Sequence, residues 1–405
     1  MRSRRLYCWV SVLGLLYILF VVFAMNSFAG FVTLSKDGKS FEKDEVKFYS
    51  IGVNAINIKE GKYYAWDQVY DQSWQGEEAW AQEVKDRFSE LGLNTVGAFS
   101  SEFLNKSLLY TRCIYFGNFI PGALHSLCDV FDPSYKQMAD EYAKNDCKDD
   151  NENLIGVFIG NEPKIYGGGA GSWKPHLEPL LEIYQKLPSG SPGHERVKQF
   201  LIENNKDNNH LSYNKLCDIW AGIVMDQHMK VCVGAIRKYQ KHHYLILGVR
   251  YASNPSIEMV RAVAKNSDVL SFNLYNNDFS LLDYWHKETG KPIMITEFSF
   301  RSLINKSNNQ NQNGPWTDVY TDKDRAYNYK KYVEEIQKRP YVIGLHWFQY
   351  SDEAPYGRGN SDGITDGPGD SEDSNFGFYS IYNEPYEDLL KQVKESNYIW
   401  GSKLK

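Results

Sequence analysis

Cysteine is scarce, with six in 405 residues, and Cys8 lies inside an N-terminal apolar run. Cys113, Cys128, Cys147, Cys217 and Cys232 follow it, and an odd count leaves at least one unpaired. Their spacings match no zinc pattern, so disulfides plus a buried thiol are expected rather than a metal centre. Basic residues are scattered and the net charge is −6, which argues against a nucleic-acid partner. His-Glu-x-x-His, Gly-x-Ser-x-Gly and a Walker loop are all missing, which sets aside zincin, α/β-hydrolase and P-loop chemistry. No Gly-x-Gly-x-x-Gly follows the first predicted strand, which counts against a dinucleotide-binding doubly wound sheet. No internal repeat is evident.

Aromatic residues are abundant, at 15% with 10 Trp and 29 Tyr. Such rings suit a large core, and they also suit sugar binding, because the C–H faces of a pyranose stack on them. Arg2, Arg4 and Arg5 precede an apolar run over 6–25, and Ser27 and Ala29 supply the small residues of a cleavage site. Residues 1–29 therefore read as a signal peptide. The run is also close to the ~20 residues that span a bilayer, so an uncleaved anchor is the rival. Either way the body, 30–405, is expected outside the cytoplasm, touching a membrane only through that segment. Asn105-Lys-Ser107 and Asn305-Lys-Ser307 are candidate glycosylation acceptors.

Downstream of the leader, short apolar runs alternate with helix-patterned stretches. Strands are predicted over 46–54, 94–100, 108–116, 153–160, 244–252, 268–275, 292–300 and 341–350. Helices are predicted over 77–92, 132–145, 194–241 in two or three pieces, 256–266, 323–339 and 385–396. Asp132 and Ser256 are expected N-caps. Eight strands, most followed by a helix, predict an α/β fold of the (β/α)8 TIM-barrel type, as one domain. Two polar loops rich in Gly and Asn, 305–318 and 357–375, follow late strands and fall at the rim that carries function in such a barrel.

Two carboxylates stand at strand ends: Glu162 after the fourth and Glu297 at the end of the seventh. They are far apart in the chain and can meet only through the fold. A carboxylate pair flanking one bond is what glycoside hydrolysis needs. The bland alternative is that acids after strands merely open helices. That suits the second Asn-Glu-Pro, 383–385, with Asn383 as an N-cap ahead of a helix pattern. It suits the first, 161–163, poorly, because "KIYGGGAGS" follows. Asn161 is placed to bond a sugar hydroxyl, and Tyr275 to bond the Glu297 carboxylate. Trp347 is a candidate floor for a sugar subsite, against the alternative of core packing. Asp352 and Arg358 are candidates for substrate contact, or contact each other. His346 is read as structural, and the Gly-rich run 166–172 as a flexible substrate-side loop. Trp173 and Trp316 are either subsite stackers or loop packing.

The succession "GVN", "LGLNTVGAFS", "LIGVFIGNEP", "VLSFNLYN", "PIMITEFSFRS", "GLHWFQYSDEAPYGR" and "NFGFYSIYNEPY" resembles agarase-like and related β-galactosidase-like glycoside hydrolases of the retaining (β/α)8 clan. The resemblance runs from about residue 46 to 390 in the expected order. It implies that Glu162 matches the acid/base, Glu297 the nucleophile and Asn161 the residue that holds the sugar 2-hydroxyl. It also implies that Tyr275 orients the nucleophile and that Trp347 forms a platform. A carbohydrate substrate, a monomeric enzyme and no cofactor or metal are expected. The alternatives are a transglycosylase remodelling envelope polysaccharide and a non-catalytic carbohydrate-binding barrel.

Overall fold

The computed structural model describes residues 30–59, 62–65, 68–73, 76–116, 129–148, 150–163, 178–206, 211–252, 254–312, 317–353, 355 and 373–404. The leader, Cys128, the Gly-rich run 166–172, Trp173, Trp316 and Arg358 lie outside the described residues.

Among the described residues nine parallel strands form one curled sheet: Ser50–Val53 (β1), Thr95–Val96 (β2), Leu109–Ile114 (β3), Leu154–Ile159 (β4), Leu245–Ile246 (β5), Arg250–Ala252 (β6), Leu270–Asn273 (β7), Ile293–Phe298 (β8) and Val342–Trp347 (β9). Their spatial order is β5-β4-β3-β2-β1-β9-β8-β7-β6. The two outermost strands are pieces of a single stretch of chain, the predicted strand 244–252. Gly248 interrupts it in a left-handed conformation, φ 84°, which a glycine adopts without a Cβ clash. β5 pairs with β4, β6 pairs with β7, and Arg250 also bridges to Asn161 just past β4. Leu247 N donates to Val157 O and Ile159 N to Gly248 O, both at 2.8 Å. The sheet thus meets itself along 244–252, in the manner of a (β/α)8 barrel. β4, β8 and β9 are buried at every position, as expected of parallel strands covered on both faces.

Helices Glu77–Leu91 (α1), Pro133–Asp146 (α2), Leu180–Gln185 (α3), Pro192–Lys206 (α4), Tyr213–Tyr239 (α5), Ile257–Asn266 (α6), Ser280–Thr289 (α7), Asp322–Ile336 (α8) and Glu387–Gly401 (α9) connect or follow the strands. The larger core lies between sheet and helices. A second cluster gathers Ile155, Phe158, Leu247, Val269, Met294 and Ile343 from the strand segments with Val32 and Phe41. The last two come from a three-stranded antiparallel sheet formed by Thr33–Leu34, Phe41–Lys43 and Val46–Phe48. This splits the predicted strand 46–54 in two, because Val46–Phe48 pairs within the N-terminal sheet and β1 pairs with its barrel neighbours.

Other expectations are corrected locally. Asp132 caps α2 as expected, accepting from Ser134 N at 2.8 Å. Ser256 precedes α6, but its hydroxyl has no partner among the described residues. The second Asn-Glu-Pro opens no helix. α9 begins at Glu387, and Asn383 sits at φ 61° in a turn, its Oδ1 accepting from Arg87 Nη1 at 2.8 Å. The four described cysteines, Cys113, Cys147, Cys217 and Cys232, form no disulfide. Asn305 is a poor glycan acceptor: its Nδ2 donates to Ser302 O and Asn309 O, and Ser307 is buried. α7 was not expected, since its buried Leu282 and Trp285 are too few to establish a helical period.

Candidate active site

Functional groups in such a barrel gather where the strands end at their C-terminal side. Here Asn161 and Glu162 follow β4, Asn273 ends β7, Tyr275 lies two residues on, and Glu297 is the penultimate residue of β8. In the paired register Asn273 stands opposite Glu297. Adjacent strands lie about 4.8 Å apart, so these side chains share one small region.

A chain of hydrogen bonds joins them. Asn273 Nδ2 donates to Glu162 Oε1 at 2.8 Å and reaches Asn161 Oδ1 at 3.2 Å. Arg250 Nη1 donates to the same Asn161 Oδ1 at 2.7 Å. Arg250 Nη2 pairs with Glu297 Oε1 at 2.9 Å, and Tyr275 OH donates to Glu297 Oε2 at 2.8 Å. Each oxygen of Glu297 therefore has its own donor, and the residue is 5% exposed. A cation and a phenol donor on one carboxylate favour its ionised form.

Glu162 is half-buried and has a backbone φ of 44°. A non-glycine residue there is uncommon, and such conformations concentrate at functional sites. The conformation is held by Glu162 N donating to Arg250 O at 2.8 Å and by the Asn273 bond to the side chain.

Three of these residues were absent from the reading of the sequence. Arg250 opens β6 in a run, "YLILGVRYA", that looks like an ordinary buried strand. Asn273 was passed over inside "SFNLY". Asn54, fully buried after β1, donates to Thr296 O and Trp347 O and lies 3.5 Å from Arg250 Nη2. The available signal was a charged or amide side chain inside an otherwise apolar strand, which has to find a partner when buried.

Two expected site residues turn out to be structural. Trp347 is 1% exposed and belongs to the larger core between sheet and helices. Its ring stacks on Phe378 with centroids 5.3 Å apart, meets Tyr329 of α8, and its Nε1 donates to Phe376 O at 2.7 Å. Alternation along β9 puts Trp347 on the helix side and turns Phe348 the other way, where Phe348 meets Phe376, itself beside Tyr275. Asp352 is fully buried and accepts from Ser307 Oγ, Tyr386 OH, Asn375 Nδ2 and Gly377 N. Its bonds hold loops together and leave no oxygen for a sugar. The asparagines of the loop after β8 act likewise, Asn309 bonding Glu353 O and Asn311 bonding Ser302 O.

His346 is buried beside Ser50 Oγ at 2.8 Å. Burial, and then the nearby Arg250 charge, push its pKa down to about 3, so it stays neutral. Burial lifts the Cys113 thiol to about 11, with Arg250 pulling the other way. Among the described residues no cluster of His, Cys, Asp and Glu is arranged to hold a metal.

No protein-family model matches the chain. β-Agarase B of Vibrio sp. (strain JT0107) is 27% identical over 371 residues, covering 80% of this chain and 36% of that protein. The chain thus spans about a third of that relative's length. Among solved structures, an exo-β-agarase superposes with a TM-score of 0.71 at 19% identity, covering 92% of this chain and 65% of the other. A protein named BpGH50 superposes at 0.73 with 20% identity, covering 92% and 82%. The chain is accordingly a sequence relative of β-agarases, and its barrel is the one seen in solved agarase structures.

Proposed function

We propose that this chain is a retaining β-glycoside hydrolase acting on an agar-type polysaccharide, with Glu162 as acid/base and Glu297 as nucleophile. The observation that supports this best is the bonded cluster Glu162–Asn273–Asn161–Arg250–Glu297, which draws two carboxylates from distant parts of the chain into one region. The similarity to β-agarase B supports the substrate class.

In the first step Glu297 attacks the anomeric carbon while Glu162 gives its proton to the departing glycosidic oxygen. The C–O bond breaks and a glycosyl ester forms on Glu297. Esterification removes the negative charge of Glu297, so Glu162 then ionises more readily and can take a proton from water. Water attacks the anomeric carbon, the ester bond breaks, and the Glu297 carboxylate is regenerated. Asn161 offers an amide to the sugar 2-hydroxyl, and Tyr275 fixes the plane of Glu297. A carboxyl separation of about 5–5.5 Å belongs to this mechanism. The barrel, 30–405, works as a monomer outside the cytoplasm behind the leader, and needs no cofactor.

Proton NMR of agar oligosaccharide digestion tests the reading, because the β-anomer must appear first. Glu162→Gln should lower turnover by about 10²–10⁴-fold, and Glu297→Gln should bring it to background. First appearance of the α-anomer, or full activity in Glu297→Gln, would overturn the assignment. Products longer than the substrate would indicate transglycosylation instead.

A further inference from the structure

We infer that Arg250 is a positioning residue, a clamp that holds Glu297 and Asn161 in one rigid frame. The kinetic part of this inference rests on the proposed function; the structural part does not.

The guanidinium is completely buried, lying over Phe99 at 4.9 Å and Phe158 at 5.6 Å from the ring centres. Nη2 serves Glu297 Oε1 and Thr296 O, both at 2.9 Å, and lies 3.5 Å from Asn54 Oδ1. Nη1 serves Asn161 Oδ1 at 2.7 Å. Nε finds no partner among the described residues. A buried arginine with an unpaired N–H is a poor means of filling space, and an apolar side chain of similar volume would stabilise the fold at least as well. Its presence in this buried position points to a task other than packing.

That task is visible in what the two Nη atoms touch. On Glu297, Arg250 takes one oxygen and Tyr275 the other. Rotation of the carboxyl would break both bonds, so its plane is set before substrate arrives. On Asn161, Oδ1 accepts from both Arg250 and Asn273. Two donors at one position identify it as the oxygen, which leaves Nδ2 as the group offered to a ligand. One planar fork thus orients the attacking group and the amide beside it, a geometry that lysine, with a single nitrogen, cannot reproduce. Phe99 sits at φ 64°, strained for an aromatic residue, with its carbonyl tied by Asn57 Nδ2 at 3.0 Å. That conformation keeps its ring over the guanidinium.

Among the described residues, the charged and titratable groups around Glu297 include Arg250, Tyr275, Cys113, Tyr115 and, through Asn273, Glu162. Of these Arg250 is the cation. Removing it should raise the pH at which Glu297 takes up a proton.

The test compares wild type with Arg250→Met and Arg250→Lys, each checked for folding by thermal melting. The first readout is carbon-13 NMR of glutamate-labelled protein, with the Glu297 carboxyl signal identified by its loss in Glu297→Gln. This needs no turnover, so it decides the clamp even if agar is not the substrate. Arg250→Met should raise the Glu297 midpoint by about one pH unit or more. Arg250→Lys should leave it near wild type. The second readout is kcat/KM on agar oligosaccharides, which should fall about 100-fold in Arg250→Met and clearly, though less, in Arg250→Lys. A Lys variant with normal titration but reduced kcat/KM is the signature of the fork rather than of charge. An unmoved midpoint in folded Arg250→Met, or wild-type kcat/KM in Arg250→Lys, would overturn the inference. Should Arg250→Met fail to fold, Arg250→Lys decides by the same criterion.

Discussion

Asp352→Ala separates a loop-holding residue from a substrate-binding one. The carboxyl is wholly buried and accepts Ser307 Oγ at 2.6 Å and Tyr386 OH at 2.6 Å on Oδ2, and Asn375 Nδ2 at 2.8 Å and Gly377 N at 2.7 Å on Oδ1. Alanine strands all four donors. The two hydroxyls can turn to other acceptors, but the backbone N–H of Gly377 cannot. A hydrogen bond to a charged group contributes about 1.5–3 kcal/mol, and each stranded donor costs about 1–3 kcal/mol. Arg325, fully buried and lowering the Asp352 pKa by its charge, also loses a nearby anion. Working against these losses, the substitution removes a buried charge. That burial is the larger influence on Asp352 and raises its pKa overall. The net expectation is a destabilisation of about 3–5 kcal/mol, typical of breaking a buried charge network from one side. With m about 3 kcal/mol/M, the urea midpoint falls by about 1 M or more. No bond of Asp352 reaches Glu162, Glu297, Asn161 or Tyr275, so kcat/KM of the folded variant should stay within about threefold of wild type. An unchanged urea midpoint would refute the stability reasoning. A stable variant with much lower kcat/KM would return Asp352 to the list of substrate contacts.

Trp347→Ala should cost about 3–5 kcal/mol of stability while leaving KM unchanged, as thermal melts and initial rates would show; a raised KM without destabilisation would contradict its place behind the sheet. Burial lowers the His228 pKa from 6.5 to about 4. A folded pKa depressed in this way means that its share of stability is present above pH 6.5 and is lost as pH falls toward 4. Urea titrations should therefore show that His228→Gln removes about 2–3 kcal/mol of the pH dependence between 6.5 and 4.5, and identical slopes in both proteins would refute it. A Cβ at Gly156 would lie 2.4 Å from Leu245 O, so Gly156→Ala should open the pairing of β4 with β5 and cost about 1–3 kcal/mol or more; wild-type stability in a urea melt would show that the seam is loose.

The alternation of apolar strands with helix patterns was enough to predict the barrel and, through the motif order, its likeness to agarases. Asn161, Glu162 and Glu297 stood out because an acid or amide directly after a buried strand, with no helix following, has no routine explanation. Local signals of this kind depend on a few neighbouring residues, so sequence carries them. The break at Gly248 and the use of one run to close both edges of the sheet depend on pairing between distant strands. The facing of Trp347 and Asp352 was likewise decided in three dimensions. Trp347 sits one residue from the cleft side of β9, and a one-residue change along a strand exchanges inside for outside. Arg250 is the clearest case. In sequence it is one cation in an apolar strand, and only closure of the barrel brings it between Glu297 and Asn161. A buried charge acquires its partner from tertiary structure, and the chain alone does not name that partner.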